Sequence, residues 1–408
     1  MFEENKIIAG IEIGTSKICV VVGELDHEGG LSIIGVGQAR SRGVRKGEIT
    51  NAQQAEEDVR NALYEAEKMA DVEIRSVFLG VSGGHLRSFT NRGVHTVVSA
   101  DREITEDDVQ DVIKNAKAIN LPADHSLIHA IRQHFYLDGQ TGVTNPVGML
   151  GQRLEVEMHV VHGQSTRLQN AIRLVRGTQL DVEEIVFNGV ASSLAVLNHE
   201  QKELGALMVD VGGGTTEYVA YVDGAIRYTG VLAVGGDHVS NDLAYGLKIP
   251  LSRAEQLKKS HGSALQDSGN NHEMISLSSE FGLPTKQVSL HNLRSIMSMR
   301  LEEIFELVMA DLERQGLVRF LRAGVFLCGG TSRVEGILAL AENVFQMSAS
   351  KGETTGISGL TSALEQPEFA TAIGLVKYGS LSKRTSKKSS KNGITIVRQM
   401  FNKVLQRS

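Results

Sequence analysis

Three short apolar runs open the chain, and glycine-containing or polar turns separate them. Ile and Val dominate residues 7–13, 18–25 and 31–36, a pattern that predicts three strands. The segments Gly14-Thr15-Ser16 and 26–30 are typical of hairpin turns. The chain is therefore predicted to begin with a triplet of strands joined by tight turns.

A second triplet with the same plan follows about 200 residues later. Its apolar runs occupy 206–211, 216–222 and 225–234, and Asp223-Gly224 between the last two is a strong hairpin signal. In both triplets an apolar strand with an acidic residue near its end leads into a Gly-Thr turn. A repeat at this distance predicts a duplicated domain and not a solenoid.

Helical and strand-like segments alternate after each triplet. In the first half they lie at 51–70 (helix), 75–81 (strand), 165–177 (helix), 184–187 (strand) and 190–199 (helix). In the second half they lie at 237–246 (helix), 290–315 (helix), 324–328 (strand), 333–344 (helix) and 368–379 (helix). This alternation predicts an α/β fold in which helices cover both faces of each sheet.

Two segments interrupt the halves and are predicted to be inserted subdomains. The first contains strand-like stretches and a helix that Thr105 is placed to cap, with acidic residues in its first turn. The predicted organisation is a first half at 1–83 and 163–204, an insertion at 84–162, a second half at 205–246 and 319–379, an insertion at 247–318, a flexible basic linker at 380–393 and a helix at 394–408.

The charge of the chain is unevenly distributed. The net charge is -6, but residues 379–408 contain eight Lys and Arg and no acidic residue, which leaves -14 for the rest. An acidic body is a poor non-specific partner for nucleic acid. Two distant cysteines and the lack of an apolar run of about 20 residues exclude a disulfide framework and a spanning helix. We expect a protein of the cytoplasm that binds no nucleic acid.

Residues 394–408 have the pattern of a helix that lies on a membrane. Apolar side chains fall within an arc of roughly 140°, and Arg and Lys occupy the other side. Each Lys or Arg near anionic lipid contributes about 1 kcal/mol. A helix docked on its own core, or one that binds a calmodulin-like partner, is the alternative. The expected membrane-binding residues are Val397, Arg398, Met400, Phe401, Lys403, Val404, Leu405 and Arg407.

The glycine turns are candidates for binding phosphate. Consecutive glycines let backbone N–H groups converge on an anion, and neighbouring hydroxyls add donors. Glu12 and Asp210, near the strand ends, are candidates to hold Mg²⁺ through water. Hairpins without a ligand are the alternative. The two turns that would form the clamp consist of Gly14, Thr15, Ser16 and Lys17 and of Gly212, Gly213, Gly214, Thr215 and Thr216.

Two further glycine loops precede predicted helices. Gly329, Gly330 and Thr331 follow a strand, at the position where open α/β sheets bind nucleotides, and Ser332 is a candidate N-cap of the next helix. The other loop contains Gly235 and Gly236. We therefore predict a nucleotide clamped from two sides.

These motifs carry a resemblance to a known family. GIEIGTSK (10–17) and VDVGGGTTE (209–217) resemble the phosphate motifs of the actin/Hsp70/sugar-kinase ATPase superfamily, and LCGGTSR (327–333) resembles its adenosine motif. Within it, the chain resembles the FtsA family of bacterial cell-division proteins over essentially its whole length. The supporting phrases are IIGVGQARSRGVRKGEI (33–49), NPVGMLGQRLEVEMHVV (145–161), FNGVASSLAVL (187–197) and the tail helix.

The resemblance implies a fold, a ligand and partners. The fold would be actin-like (ribonuclease H-like), α/β and duplicated, with two inserted subdomains and a C-terminal amphipathic helix. The ligand would be ATP with Mg²⁺. The protein would polymerise as an actin-like protofilament, bind FtsZ through the second insertion, and tether the FtsZ ring to the cytoplasmic face of the inner membrane at the septum. It would also help to recruit later division proteins.

The resemblance also bears on catalysis. Glu12 and Glu217 stand where the superfamily usually has Asp, which implies slow or absent ATP hydrolysis and a protein that is not primarily an enzyme. Arg300 and Glu303 lie on a helix that contacts adenine in the superfamily, and a solvated ion pair is the alternative. A sugar or carboxylate kinase of the same superfamily is the alternative function, but no residue stands out as its general base.

Overall fold

The first half of the chain is built on a six-stranded sheet. The structure is a computed structural model and describes residues 7–26, 29–265, 273–277, 286–360 and 365–391. Strands and helices are numbered in chain order. From edge to edge the sheet contains β11 (Asp181–Phe187), β6 (Ser76–Val81), β1 (Ile7–Ile13), β2 (Lys17–Leu25), β3 (Leu31–Arg40) and β19 (Ser358–Gly359).

The predicted first triplet is confirmed, because β1, β2 and β3 pair in antiparallel fashion. β1 also pairs with β6, in parallel. After β3 the chain forms a small hairpin from β4 (Val44–Arg45) and β5 (Glu48–Ile49). The backbone N–H of Gly47 in this hairpin donates to Thr15 Oγ1 at 3.0 Å, so the hairpin contacts the first glycine turn.

Helices cover both faces of this sheet, as predicted. The helix α1 (Ala52–Ala70) begins after Asn51, whose side chain caps it, and packs against Gly35 and Gly37 of β3. The opposite face, at Gly10 and Gly23, is covered by α10 (Ala370–Lys391). The other helices of this half are α3 (Ser165–Gly177), α4 (Asn188–Val196) and α5 (His199–Leu204).

Two predicted boundaries near the C-terminus are wrong. The segment 319–379 was expected to lie in the second half, but α10 belongs to the hydrophobic core of the first half and β19 pairs with β3. The flexible linker predicted at 380–393 is helical as far as Lys391.

The helix continues because its beginning is anchored by burial. Ser380 and Leu381 are buried, and Lys383 Nζ lies 3.3 Å from a carboxylate oxygen of Glu183. Once a helix exists, extending it through Ser and Lys residues costs little free energy, and residues 380–392 contain no Gly or Pro.

The second half repeats the topology of the first. Its sheet contains β14 (Ala225–Leu232), β13 (Thr216–Val222), β12 (Ala206–Val211), β17 (Gly324–Cys328) and β18 (Ala349–Lys351). This order matches β3-β2-β1-β6-β11, and β12 pairs in parallel with β17 as β1 does with β6. The duplication predicted from the sequence is therefore present. The helices of this half are α6 (Gly236–Gly246) and α9 (Ile337–Phe345).

The first insertion has a hydrophobic core of its own, whereas the second shares the core of the second half. In the first, helix α2 (Glu106–Lys117) packs on a sheet formed by β7 (Arg87–Thr96), β10 (Arg153–Gln164), β8 (His125–Leu137) and β9 (Gln140–Val143). Thr105 caps α2 as predicted, in a capping box with Asp108. The described part of the second contains α7 (Leu251–His261), β15 (Met274–Leu277), β16 (Lys286–Ser289) and α8 (Leu290–Arg314).

Candidate functional site

The two glycine turns that follow β1 and β12 have the same internal hydrogen bond and face each other. Gly14 N donates to the carbonyl of Lys17 at 3.0 Å, and Gly212 N donates to that of Thr215 at 2.9 Å. A Cβ built on Gly214 would lie 2.4 Å from Thr15 Oγ1, so the turns approach each other closely. The structure thus brings together two turns that are about 200 residues apart in sequence.

A cavity of 770 Å³ lies between the halves at these turns. Its size and its concave, polar wall suit a small-molecule ligand. At the other end of the cavity lie Glu255, Lys258, Arg333 and Glu335. The predicted residues that line it are Glu12, Gly14, Thr15, Ser16, Lys17, Asp210, Gly212, Gly213, Gly214, Thr215, Gly329, Gly330 and Thr331.

Three predicted residues support the second glycine turn without lining the cavity. Gly236 N donates to the carbonyl of Gly212 at 2.9 Å, which places the loop of Gly235 and Gly236 directly behind that turn. Thr216 Oγ1 donates to the carbonyl of Val234 at 2.8 Å. These contacts hold the turn in shape.

Ser332 does not cap a helix. Residues Gly330–Arg333 form one turn of 3₁₀ helix, and the Ser332 hydroxyl donates to the carbonyl of Gly329 at 2.7 Å. α9 begins four residues later than predicted, at Ile337, after Gly336 in the left-handed region with φ of 76°.

Three carboxyl groups and one lysine lie in the wall of the cavity. Lys17 Nζ lies 3.0 Å from Glu12 Oε2. Burial raises the pKa of Glu12, although Lys17 opposes this change. Burial favours neutral Lys17, but its acidic neighbours, Glu12 before Cys19 and Asp210, together raise the pKa of the lysine. Burial and the Asp210 carboxylate raise the pKa of Glu217 to about 8.

Glu217 and Asp210 also accept hydrogen bonds from hydroxyl groups. Ser82, at the end of β6, donates across the cavity to Glu217 Oε1. Asp210 Oδ2 accepts from Ser192 Oγ at 2.6 Å and from Thr371 Oγ1 at 3.0 Å. Side chains of both halves therefore meet at the floor of the cavity.

The carboxyl groups at the floor of the cavity suit a hard cation such as Mg²⁺. Mg²⁺ prefers oxygen ligands such as carboxylates. A bound cation would also stabilise the ionised forms of Glu12 and Glu217, which burial and the charge of Asp210 disfavour. Within the described ranges no three His, Cys, Asp or Glu side chains are arranged to ligate a metal directly. The donor set thus fits a cation held through water, which agrees with how Mg²⁺ usually binds.

Sequence reasoning missed Ser82, Ser192, Thr371 and Lys258 as site residues. Lys258 Nζ donates to the carbonyl of Gly236 at 3.0 Å and so reaches the loop behind the second turn. Ser192, Thr371 and Lys258 lie in no glycine motif, whereas Ser82 directly precedes Gly83-Gly84, a glycine pair after a strand that sequence reasoning passed over. Ser192 lies within the quoted phrase 187–197, which is the one signal that pointed towards it.

Arg300 and Glu303, for which the sequence left two roles open, form an ion-pair network. Arg300 on α8 donates to Asp242 on α6 and to Glu303, and neither Arg300 nor Glu303 lines the cavity.

Comparison with known families identifies the chain. A model described as "Cell division protein FtsA" matches residues 207–374, and one described as "SHS2 domain inserted in FTSA" matches residues 83–162. The Cell division protein FtsA of Pseudomonas aeruginosa is 38% identical over 377 residues, which cover 92% of this chain and 90% of the relative. The chain belongs to the FtsA family. Membership of this family does not support the alternative function, that of a sugar or carboxylate kinase.

A second relative and two solved structures agree with this assignment. The FtsA of Borreliella burgdorferi is 37% identical over 402 residues, or 96% of this chain and 97% of the relative. A chain of the PilM-PilN type IV pilus biogenesis complex has a TM-score of 0.65 at 15% identity, covering 91% of this chain and 98% of its own. MreB5 of Spiroplasma citri with AMPPNP has a TM-score of 0.57 at 14% identity, covering 96% and 100%. These likenesses show that the fold is actin-like.

The predicted membrane residues, from Val397 to Arg407, lie outside the described residues. In the part of the chain that the structure describes, no helix combines the length and the apolar character needed to cross a membrane.

Proposed function

We propose that the chain binds ATP with Mg²⁺ in the cavity between its halves and uses the nucleotide to control assembly at the division site. The observation that carries this proposal is the apposition of the two glycine turns across one cavity. Among the described residues, the N–H groups of Gly213 and Gly214 have no acceptor. Such N–H groups are suited to bind phosphate oxygens.

Each group at the floor has a role in binding. Lys17 supplies positive charge beside the first turn, and Thr15 and Thr215 supply hydroxyls. Glu12 and Asp210 would hold Mg²⁺ through water, and the ion would neutralise phosphate charge. The MreB5 neighbour, which carries AMPPNP, agrees with a nucleotide in this cavity.

Slow hydrolysis is proposed from the two acidic positions of the site. Glu12 and Glu217 stand where the superfamily usually has Asp, and both are engaged, Glu12 by Lys17 and Glu217 by the Ser82 hydroxyl. A longer carboxyl side chain that is already engaged is poorly placed to take a proton from an attacking water. The nucleotide would then serve mainly as a conformational and assembly switch.

We also propose that residues 394–408 attach the protein to anionic lipid on the cytoplasmic face of the inner membrane. The sequence supports this with its apolar face and basic flank. The sequence just before this segment adds further basic residues, Lys387, Lys388 and Lys391. By family membership, the second insertion would bind FtsZ and copies of the chain would form a protofilament that also recruits later division proteins.

Calorimetry with the full chain tests nucleotide binding. ATP with Mg²⁺ should bind, and Gly214→Ala should weaken it at least tenfold, because the new Cβ would meet Thr15 Oγ1 and the backbone of Lys46 at 2.9 Å. Gly142→Ala is the control, since this glycine has φ of 74° and no atom within 4 Å, far from the cavity. Tight binding of a sugar without ATP would refute the proposal.

Vesicle sedimentation tests the membrane attachment. Vesicles with anionic lipid should sediment the wild type, whereas Phe401→Glu should stay in solution. Gln406→Glu makes the same change of charge on the polar face and should retain most binding, since one charge contributes about 1 kcal/mol. Equal loss in both variants would mean that charge alone, and not the apolar face, determines binding.

A further inference from the structure

The Asp210 carboxylate joins three parts of the fold at one buried point. Its Oδ2 atom accepts from Ser192 Oγ at 2.6 Å and from Thr371 Oγ1 at 3.0 Å, and the two hydroxyl oxygens lie 2.9 Å apart. Asp210 is 5% exposed, Thr371 4% and Ser192 0%. Both donors are buried, so the loss of one would leave this oxygen with one side-chain donor instead of two.

The two hydroxyls lie on two helices of the first half, one before and one after the chain visits the second half. Ser192 belongs to α4, after which the chain crosses through α5 into the second half at β12. The chain returns to the first half at β19, and Thr371 is the second residue of the α10 helix that follows. Both helices are thus bonded to the same oxygen of a residue that lines the cavity.

α10 is built to transmit a displacement along its length. It is continuous over 22 residues, about 33 Å at 1.5 Å per residue. A Cβ on Gly374 would lie 1.9 Å from the carbonyl oxygen of Ala191, and one on Gly10 would lie 2.6 Å from Leu375 Cβ. So close a contact leaves little room for bending, and packed interiors pass strain on. A shift at Thr371 would be carried towards Lys391, beyond which the proposed membrane segment lies.

We infer that Thr371 and Ser192 are positioning residues that hold Asp210 and link nucleotide in the cavity to α10, and through α10 to attachment at an anionic membrane. This inference rests on the proposed function and adds a route by which one binding event affects the other. A cation and phosphates bound next to Asp210 would change the strength of the hydrogen bonds that the two hydroxyl groups donate to its carboxylate. The two states of the cavity then favour different positions of the start of α10.

Thermodynamic linkage requires that the coupling factor be the same whichever of the two affinities is measured. If nucleotide changes the affinity for vesicles by some factor, vesicles must change the affinity for nucleotide by the same factor. The net effect of a single hydrogen bond corresponds to a factor of about 2 to 10. We expect a coupling factor in this range for the wild type and a factor near 1 without the Thr371 hydroxyl.

The experiment uses full-length protein, ATP with Mg²⁺, and vesicles of phosphatidylglycerol and phosphatidylcholine. Nucleotide affinity is measured with and without vesicles, and vesicle affinity with and without nucleotide. Thr371→Val should abolish the coupling, and Thr371→Ser should retain it. Ser380→Ala is the control, because this buried hydroxyl of α10 donates to the carbonyl of Lys377 and does not contact Asp210. Ser192→Ala gives a second test if Thr371→Val does not fold.

The outcomes separate the inference from the proposed function. The inference is overturned if the coupling is retained in both Thr371→Val and Ser192→Ala. It is also overturned if the control Ser380→Ala loses the coupling to the same extent as these variants. A wild type that binds ATP and vesicles independently also overturns it and leaves the proposed function in place. A wild type that fails to bind ATP or vesicles contradicts the proposed function itself.

Discussion

Replacing Lys202 by methionine should stabilise the protein and alter its response to pH. Lys202 lies in α5 with a fully buried side chain, and its Nζ has no hydrogen-bond partner among the residues that the structure describes. Burial, together with repulsion from Lys377, lowers the pKa of this amine to about 7. The Tyr221 ring, with its centre 5.5 Å from Nζ, is a weak partner for the charge. Methionine fills similar space without the cost of an ammonium group.

The sign and size of the effect follow from linkage. In the unfolded chain the amine takes up a proton below a pH of about 10.4, whereas in the folded protein it does so only below about 7. Between these values the unfolded state binds more protons, so stability rises with pH. Lys202 costs on the order of 4 kcal/mol of stability at pH 7, and about 2 kcal/mol of this disappears by pH 9.

Scanning calorimetry at pH 7 and pH 9 measures this difference. The entropy of unfolding is about 2.1 cal/mol/K per residue, so each kcal/mol shifts the melting temperature of this chain by about 1 °C. Lys202→Met should melt about 4 °C above the wild type at pH 7, and the gap should halve at pH 9. Lys68→Met, at an exposed site on α1, should follow the wild type. A gap that is the same at both pH values would refute the reasoning.

Three further predictions concern the site and its support. Glu217→Gln should reduce the loss of stability between pH 6 and pH 8 in calorimetry, because the folded state retains the Glu217 proton up to about pH 8 and the unfolded state does not; an unchanged pH profile would contradict the raised pKa. Arg300→Ala should bind ATP within about twofold of the wild-type affinity in calorimetry, since Arg300 is bound to Asp242 away from the cavity. A tenfold loss of affinity would show that Arg300 contacts the nucleotide. Gly374→Ala should lower the melting temperature by several degrees, because its Cβ would clash with the carbonyl of Ala191; an unchanged melting curve would show that α10 can move aside.

The parts of the fold that depend on local pattern could be predicted from the sequence. The strand triplets follow from apolar runs and turn residues such as Asp223-Gly224, and the start of α2 follows from Thr105 and Asp108. The two glycine turns follow from their Gly and Thr residues in the same way, and that they bind phosphate stays a prediction. Each of these features is encoded within a few residues.

The contacts that complete the site could not be predicted in this way. Thr371 and Asp210 are 161 residues apart, and no local signal marks a threonine in an apolar helix as a partner of a distant carboxyl. The predicted linker failed for a related reason. Its composition favours disorder, but the buried residues at its start, such as Leu381, fix a helix that the following residues extend.

The position of α10 on the first sheet has a consequence for synthesis of the chain on the ribosome. β1 and β2 are made first, yet one face of them is covered by a helix that begins 363 residues after β1 begins. The N-terminal half therefore cannot bury its core while it emerges, and it stays incomplete until almost the entire chain has been translated. The insertion formed by α2 and its sheet has a core of its own and needs no such wait. Completion of the first-half core is thus expected to come late in folding, because it requires closing a loop of more than 300 residues.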